Sequence, residues 1–171
     1  MMKQTVGKAQ SLLEKLSELK RVGKTDEFTL QTIAREAKEI KAEDPKNYLY
    51  VMGAVECLRE NAIEMRKHYQ AAIEAFGGDV VTYYNFASSL YSLGYLAEAK
   101  HCAEKGLRLA PTNEEMQELT EDILAALDRQ MGDEMETETE EELSRYALYA
   151  SESALAKVWD DPEEDEAWAD L

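Results

Sequence analysis

Residues 79–113 read DVVTYYNFASSLYSLGYLAEAKHCAEKGLRLAPTN, and this stretch decides the fold. Tyr83, Phe86 and Leu90 recur at steps of three and four, the spacing of one apolar face of a helix. Gly94 follows, where a chain leaving a helix takes up the left-handed backbone that glycine adopts most readily. Leu96, Ala99 and Leu107 then mark a second helix, and Pro111 ends it. Two helices approach to about 8–10 Å only where the facing side chains are short, and Ala87 and Ala99 supply that crossing. The stretch predicts an antiparallel helical hairpin.

One period upstream, residues 46–79 place Leu49, Met52, Gly53, Tyr69, Ala72 and Ile73 at the matching positions. Asp44-Pro45 is a helix start, Asn61 with Glu64 is a capping pair, and Gly77-Gly78-Asp79 ends one helix and caps the next. Met65 stands where a short residue is expected, which predicts a splayed pair. Further upstream, Phe28, Ile33, Ala37 and Ile40 fall on one face of a helix capped by Thr25; Leu12, Leu13, Leu16, Leu19 and Val22 do the same for an earlier helix. Downstream, Thr112 to Glu115 reads as a capping box, with Met116, Leu119, Ile123 and Leu127 in one stripe behind it. The expected fold is all-α. A helical-repeat domain spans 1–131, made of a degenerate hairpin over 3–43, repeats over 46–79 and 80–113, and a capping helix over 113–131. An acidic linker (132–142) and an acidic aromatic tail (143–171) follow.

The set Tyr83, Asn85, Phe86, Ala87, Leu90, Gly94, Leu96, Glu98, Ala99, Gly106, Leu107, Leu109 and Pro111 resembles the tetratricopeptide repeat (TPR), with its period of about 34 residues. The resemblance implies a right-handed stack of hairpins whose first helices line a concave, partner-binding groove. Asn47, Tyr50, Ala54 and Cys57 stand at the groove-facing positions of one repeat, and Val81, Tyr84, Ser88, Tyr91 and Ser92 at those of the next. Tyr50, Ala54, Tyr84, Ser88 and Tyr91 are the candidate binding residues, because tyrosine combines contact area with a polar tip. The alternative for Tyr50 and Tyr91 is packing against a neighbouring helix. Family members that clamp a chaperone's terminal carboxylate use Lys, Arg and Asn; here Tyr50, Val51, Ala54, Tyr84 and Ser88 occupy those places and only Asn85 agrees.

Charge adds a second theme. The chain carries 36 acidic and 19 basic residues, a net charge of -17. Residues 132–171 hold 15 of the acids against Arg145 and Lys157, a net of -13, leaving -4 for the first 131 residues. Such a balance disfavours nucleic acid and anionic membranes and favours a basic protein partner. No 18-residue apolar run occurs and the first residues lack the order of a secretory signal, so a cytoplasmic location is expected. Cys57 and Cys102 have no His or Cys at ligand spacing, and His68 and His101 have no grouped acid and nucleophile. Neither a phosphate-binding loop nor a nucleophile elbow is present, so no enzyme activity, metal or cofactor is expected.

Within the tail, Leu143, Tyr146, Ala147, Ala150, Leu155, Val158 and Trp159 fit a helix face that ends before Pro162, and Pro162 opens a short helix holding Trp168 and Leu171. Leu155, Trp159, Asp160, Asp165, Trp168 and Leu171 are the candidate tail contacts. One buried Trp contributes up to about 5 kcal/mol, at roughly 25 cal/mol per Å² over about 200 Å². Ordering a segment costs about 2–5 kcal/mol. The run SESALAKVWDDPEEDEAWADL over 151–171 resembles the toxin-binding tails of small bacterial type II antitoxins. That resemblance implies carboxylates neutralising a basic ribonuclease toxin while the two indoles fill apolar pockets. Two function classes therefore stand: an antitoxin-like binder acting through its tail, and a groove-binding adaptor or chaperone similar to the small acidic chaperones of type III secretion. A tail folded back on its own groove is the third arrangement left open.

Overall fold

A computed structural model describes residues 2–23 and 25–132, with side chains from residue 7. Seven helices make up the described residues: α1 (Met2–Val22), α2 (Glu27–Ile40), α3 (Pro45–Leu58), α4 (Ala62–Phe76), α5 (Val80–Ser92), α6 (Leu96–Leu109) and α7 (114–132). No strand occurs among them, and no helix there is long and apolar enough to cross a membrane. Residues 1–127 form one compact unit, a stack of helical hairpins. The linker beyond Gly132 and the tail, with Leu155, Trp159, Asp160, Asp165, Trp168 and Leu171, lie outside the described residues.

The hairpins form where the turn chemistry directs. Side-chain oxygens of Asp26, Asp44, Asn61, Asp79 and Asn113 accept the backbone N–H three residues on, at 2.8, 3.2, 3.3, 2.8 and 2.8 Å. Each satisfies one of the donors that a helix start leaves unpaired. Two expected caps are corrected. Asp26, not Thr25, caps α2, and Asn113, not Thr112, caps α7, because in each case the neighbouring carboxylate or amide oxygen reaches the open N–H.

Gly94 has φ 79°, as a helix exit by glycine requires, but Glu60 holds the same place one repeat earlier with φ 59°. That backbone costs a side-chain-bearing residue about 1–2 kcal/mol, against about 0.5–1 kcal/mol of extra chain entropy for glycine. Glu60→Gly is expected to raise the unfolding free energy by about 0.5–1 kcal/mol in urea titrations; a loss of stability contradicts the account.

Two apolar clusters meet on α3. Val51, Met52 and Val55 face Leu12, Leu16, Leu30, Ile33 and Ala37, while Tyr50 and Cys57 join the larger cluster that runs through Tyr69, Phe86, Ala87, Ala99 and Ala103 to Met116 and Ile123. A helix buried from several sides carries apolar residues around most of its circumference, as Tyr48 to Leu58 does. Phe28, expected in the first cluster, is instead 79% exposed; Leu30 and Ala34 take the inner positions with Ile33. The α3–α4 pair is not splayed at Met65, which is fully buried. The close approach is made by Gly53, where an added Cβ would stand 2.7 Å from the Tyr69 ring.

Successive hairpins are tied by pairs 32 or 33 residues apart, close to the repeat period. Arg59 binds Glu27 through two nitrogens and Arg66 binds Glu98 the same way, both pairs 32 residues apart. Arg66 also lies 4.2 Å from the centre of the Tyr95 ring. Tyr50 and Thr82 share a buried hydrogen bond, and Lys46 pairs with Asp79. Burial alone would raise the Asp79 carboxyl, but the Lys46 ammonium and the Thr82 hydroxyl and N–H outweigh it and hold it at about 2. A carboxyl depressed in the folded chain stabilises it fully above the ordinary value near 4, and that contribution fades as pH falls toward 2. Asp79→Ala is thus expected to cost about 1 kcal/mol at neutral pH, mostly the lost cap, with the difference from wild type shrinking between pH 4 and 2. Denaturation curves at both ends check this; a difference that grows on acidification contradicts it.

Candidate functional site

Helices α1, α3 and α5 lie side by side and enclose a groove of about 520 Å³, closed at one edge by Glu115 of α7. From α5 come Val81, Tyr84 and Ser88, one turn apart; from α3 come Ala54 and Cys57. Of the candidate groove residues, the structure therefore brings together Ala54, Tyr84 and Ser88. Tyr50 is corrected: it is 2% exposed, its hydroxyl is bonded to Thr82, and its ring lies 6.4 Å from that of Tyr69. The first two turns of α3 are covered by the next hairpin through the pairs Lys46 with Asp79 and Tyr50 with Thr82, so position 50 packs and position 54 lines. Tyr91 is half-buried against the main core and does not line the groove.

The fourth side of the groove comes from α1, which the repeat period did not assign to it. Gln10, Leu13, Ser17 and Lys20 lie on one face at steps of three and four and look across at α5. Leu13 packs in part against both clusters and also lines the groove; the signal for the groove was the offset between the buried stripe of Ala9, Leu12 and Leu16 and the more open stripe 10, 13, 17, 20. Lys20 Nζ donates to Ser88 Oγ at 3.2 Å and to the Ser88 carbonyl at 3.4 Å, tying the first hairpin to the third. Burial lowers the pKa of this ammonium, with the Cys57 thiol acting in the opposite sense. Among the described residues Lys20 makes no carboxylate ion pair.

Tyr84 is half-buried; burial raises its phenol pKa, and Glu115 and Glu118 push in the same direction. The groove thus has a tyrosine beside an acidic edge, with Glu14 at the α1 side. Cys57 lies on its floor, donating to the Ser89 carbonyl at 3.6 Å, and burial raises its pKa. Such a thiol stays protonated at neutral pH and is a poor nucleophile. His68 is half-buried on α4, its pKa lowered by burial, while His101 is exposed on α6. Cys102 is buried on α6, and burial raises its thiol to about 11. The groove presents hydroxyl and amide hydrogen-bonding groups and a phenol ring around an open cleft.

No protein-family model, no curated protein and no solved structure matched the chain.

Proposed function

We propose that this is a TPR-like binding protein that holds an extended, net basic segment of a partner protein in the groove between α1, α3 and α5. The observation that carries the reading is the convergence of Tyr84, Ser88 and Ala54 with the polar stripe of α1 on one cavity, bordered by Glu14 and Glu115. An extended peptide matches a cleft crossed by parallel rows of side chains, and the Tyr84 ring has the area and hydroxyl of an interface anchor. Basic residues on the peptide meet the bordering carboxylates, which sets orientation and speeds encounter. On this reading the protein is an adaptor or chaperone, similar in plan to type III secretion chaperones, acts without cofactor or catalysis, and works in the cytoplasm.

A second reading rests on the concentration of 15 acids and both tryptophans in residues 132–171. There the tail supplies an antitoxin-like arm that covers the cationic surface of a partner, such as a ribonuclease, with Trp159 and Trp168 as anchors. The two are separated by comparing how the intact chain, Tyr84→Ala, and the double substitution Trp159→Ala with Trp168→Ala bind the protein that co-purifies with the chain. Loss confined to Tyr84→Ala supports the groove. Loss confined to the tryptophan pair supports the tail and overturns the groove.

A further inference from the structure

The two ends of the hairpin stack are finished differently. At one end α7 lies over the α5–α6 hairpin, with its own Met116, Leu119 and Ile123 buried in the contact and Met116 against Gly106. At the other end no helix among the described residues covers α1 and α2. Between them opens a cavity of about 570 Å³, within the roughly 300–1,000 Å³ range of binding pockets. Leu19, Phe28 and Ile33 make its apolar wall, no residue of α3 lines it, and Phe28 is 79% exposed. A stack of repeats needs a polar outer face at each end, and here Phe28 instead joins Leu19 and Ile33 around an apolar cavity.

The edges of this cavity say what covers it. Glu14 and Glu18, one turn apart on α1, flank it on one side and Glu36 of α2 on the other; Arg21 pairs with Glu18 and Lys15 with Glu36, both in ion pairs at the surface, so the carboxylates outnumber the bases three to two. A second copy of the chain would bring these like-charged edges together, on a molecule whose net charge is already -17. A helix with bulky apolar residues on one face and lysine or arginine on the flanks answers both features, and it repeats at this end the cover that α7 gives at the other. We propose that the outer face of the α1–α2 hairpin docks a basic amphipathic helix of a partner protein, whose apolar side chains enter the cavity beside Phe28 and whose bases meet Glu14, Glu18 and Glu36. This site shares Glu14 with the groove, whose other α1 residues, Gln10, Leu13, Ser17 and Lys20, lie on a different stripe of the helix.

The test titrates the full chain with a fluorescein-labelled synthetic peptide of about 20 residues, roughly 30 Å of helix, with leucine on one face and lysine and arginine on the others. A twin peptide carries glutamate in place of each base. The basic peptide is expected to saturate the protein and the twin not to bind. Phe28→Ala, at a side chain too exposed to matter for folding, should weaken the basic peptide about tenfold or more, as truncated anchors do. Tyr84→Ala should leave it unchanged, and the free protein should sediment as a monomer. Equal affinity of wild type and Phe28→Ala, meaning that acidic charge elsewhere on the chain holds the peptide, overturns the proposal. So does equal binding of the twin, or a dimer that Phe28→Ala splits.

Discussion

Tyr69→Ala is expected to lower the unfolding free energy by about 3–5 kcal/mol, the range for a buried aromatic truncated to alanine. Tyr69 is 1% exposed and stacks on Phe86 with ring centres 5.2 Å apart and planes 21° from parallel. Its hydroxyl shares a hydrogen bond with Ser89 Oγ at 3.1 Å, and its ring fills the space that Gly53 leaves on α3. Removing it opens a void at the junction of α3, α4 and α5, in a domain whose total stability is on the order of 5–15 kcal/mol. Tyr69→Phe keeps the ring and should cost only about 1 kcal/mol, the net value of one hydrogen bond. Urea denaturation of the two variants measures the difference. A loss under about 1 kcal/mol for Tyr69→Ala would show that the ring is not the keystone of the hairpin stack.

The largest expected effect on binding is at Tyr84. Tyr84→Ala should weaken the partner complex by about 2 kcal/mol or more, roughly thirtyfold in Kd, as the loss of a central aromatic anchor does. The ring is half-buried and turned to the groove, so helix content by circular dichroism should be unchanged. Ser88→Ala tests the floor more gently, because Lys20 keeps its bond to the backbone carbonyl at that position. Titration by calorimetry reads both. An unchanged Kd for Tyr84→Ala removes the ring from the site.

The hairpins were legible in the sequence because each rests on local rules. Gly94, Pro45 and the capping side chains of Asn61 and Asp79 act within four residues of where they stand, and the short residues Ala87 and Ala99 are both fully buried at the crossing. The groove was legible in part. Periodicity tells which residues share a face, and it put Ala54, Tyr84 and Ser88 together correctly. It does not tell how far the next hairpin overlaps that face. The overlap buries Tyr50 under Thr82, 32 residues away, while Tyr91 packs partly buried against the main core. The contribution of α1 was hidden for a related reason: Gln10, Ser17 and Lys20 are polar residues beside a buried apolar stripe, a pattern any solvent-facing helix shows, and nothing local tells that α5 stands across from them. Phe28 read as core because it is apolar and in register, whereas in three dimensions it stands at an end of the stack where no further hairpin among the described residues arrives.

The most direct measurement of the central claim, that the cleft between α1, α3 and α5 holds the partner, is photo-crosslinking from single positions. Benzoylphenylalanine is placed at Tyr84 in one sample and at His101, exposed on α6, in another, and each full-length chain is irradiated with its bound partner. A crosslink is expected from position 84 to one continuous segment of the partner, identified by peptide mass spectrometry, and none from position 101. A partner that stays bound yet crosslinks from 101 and not from 84 contradicts it.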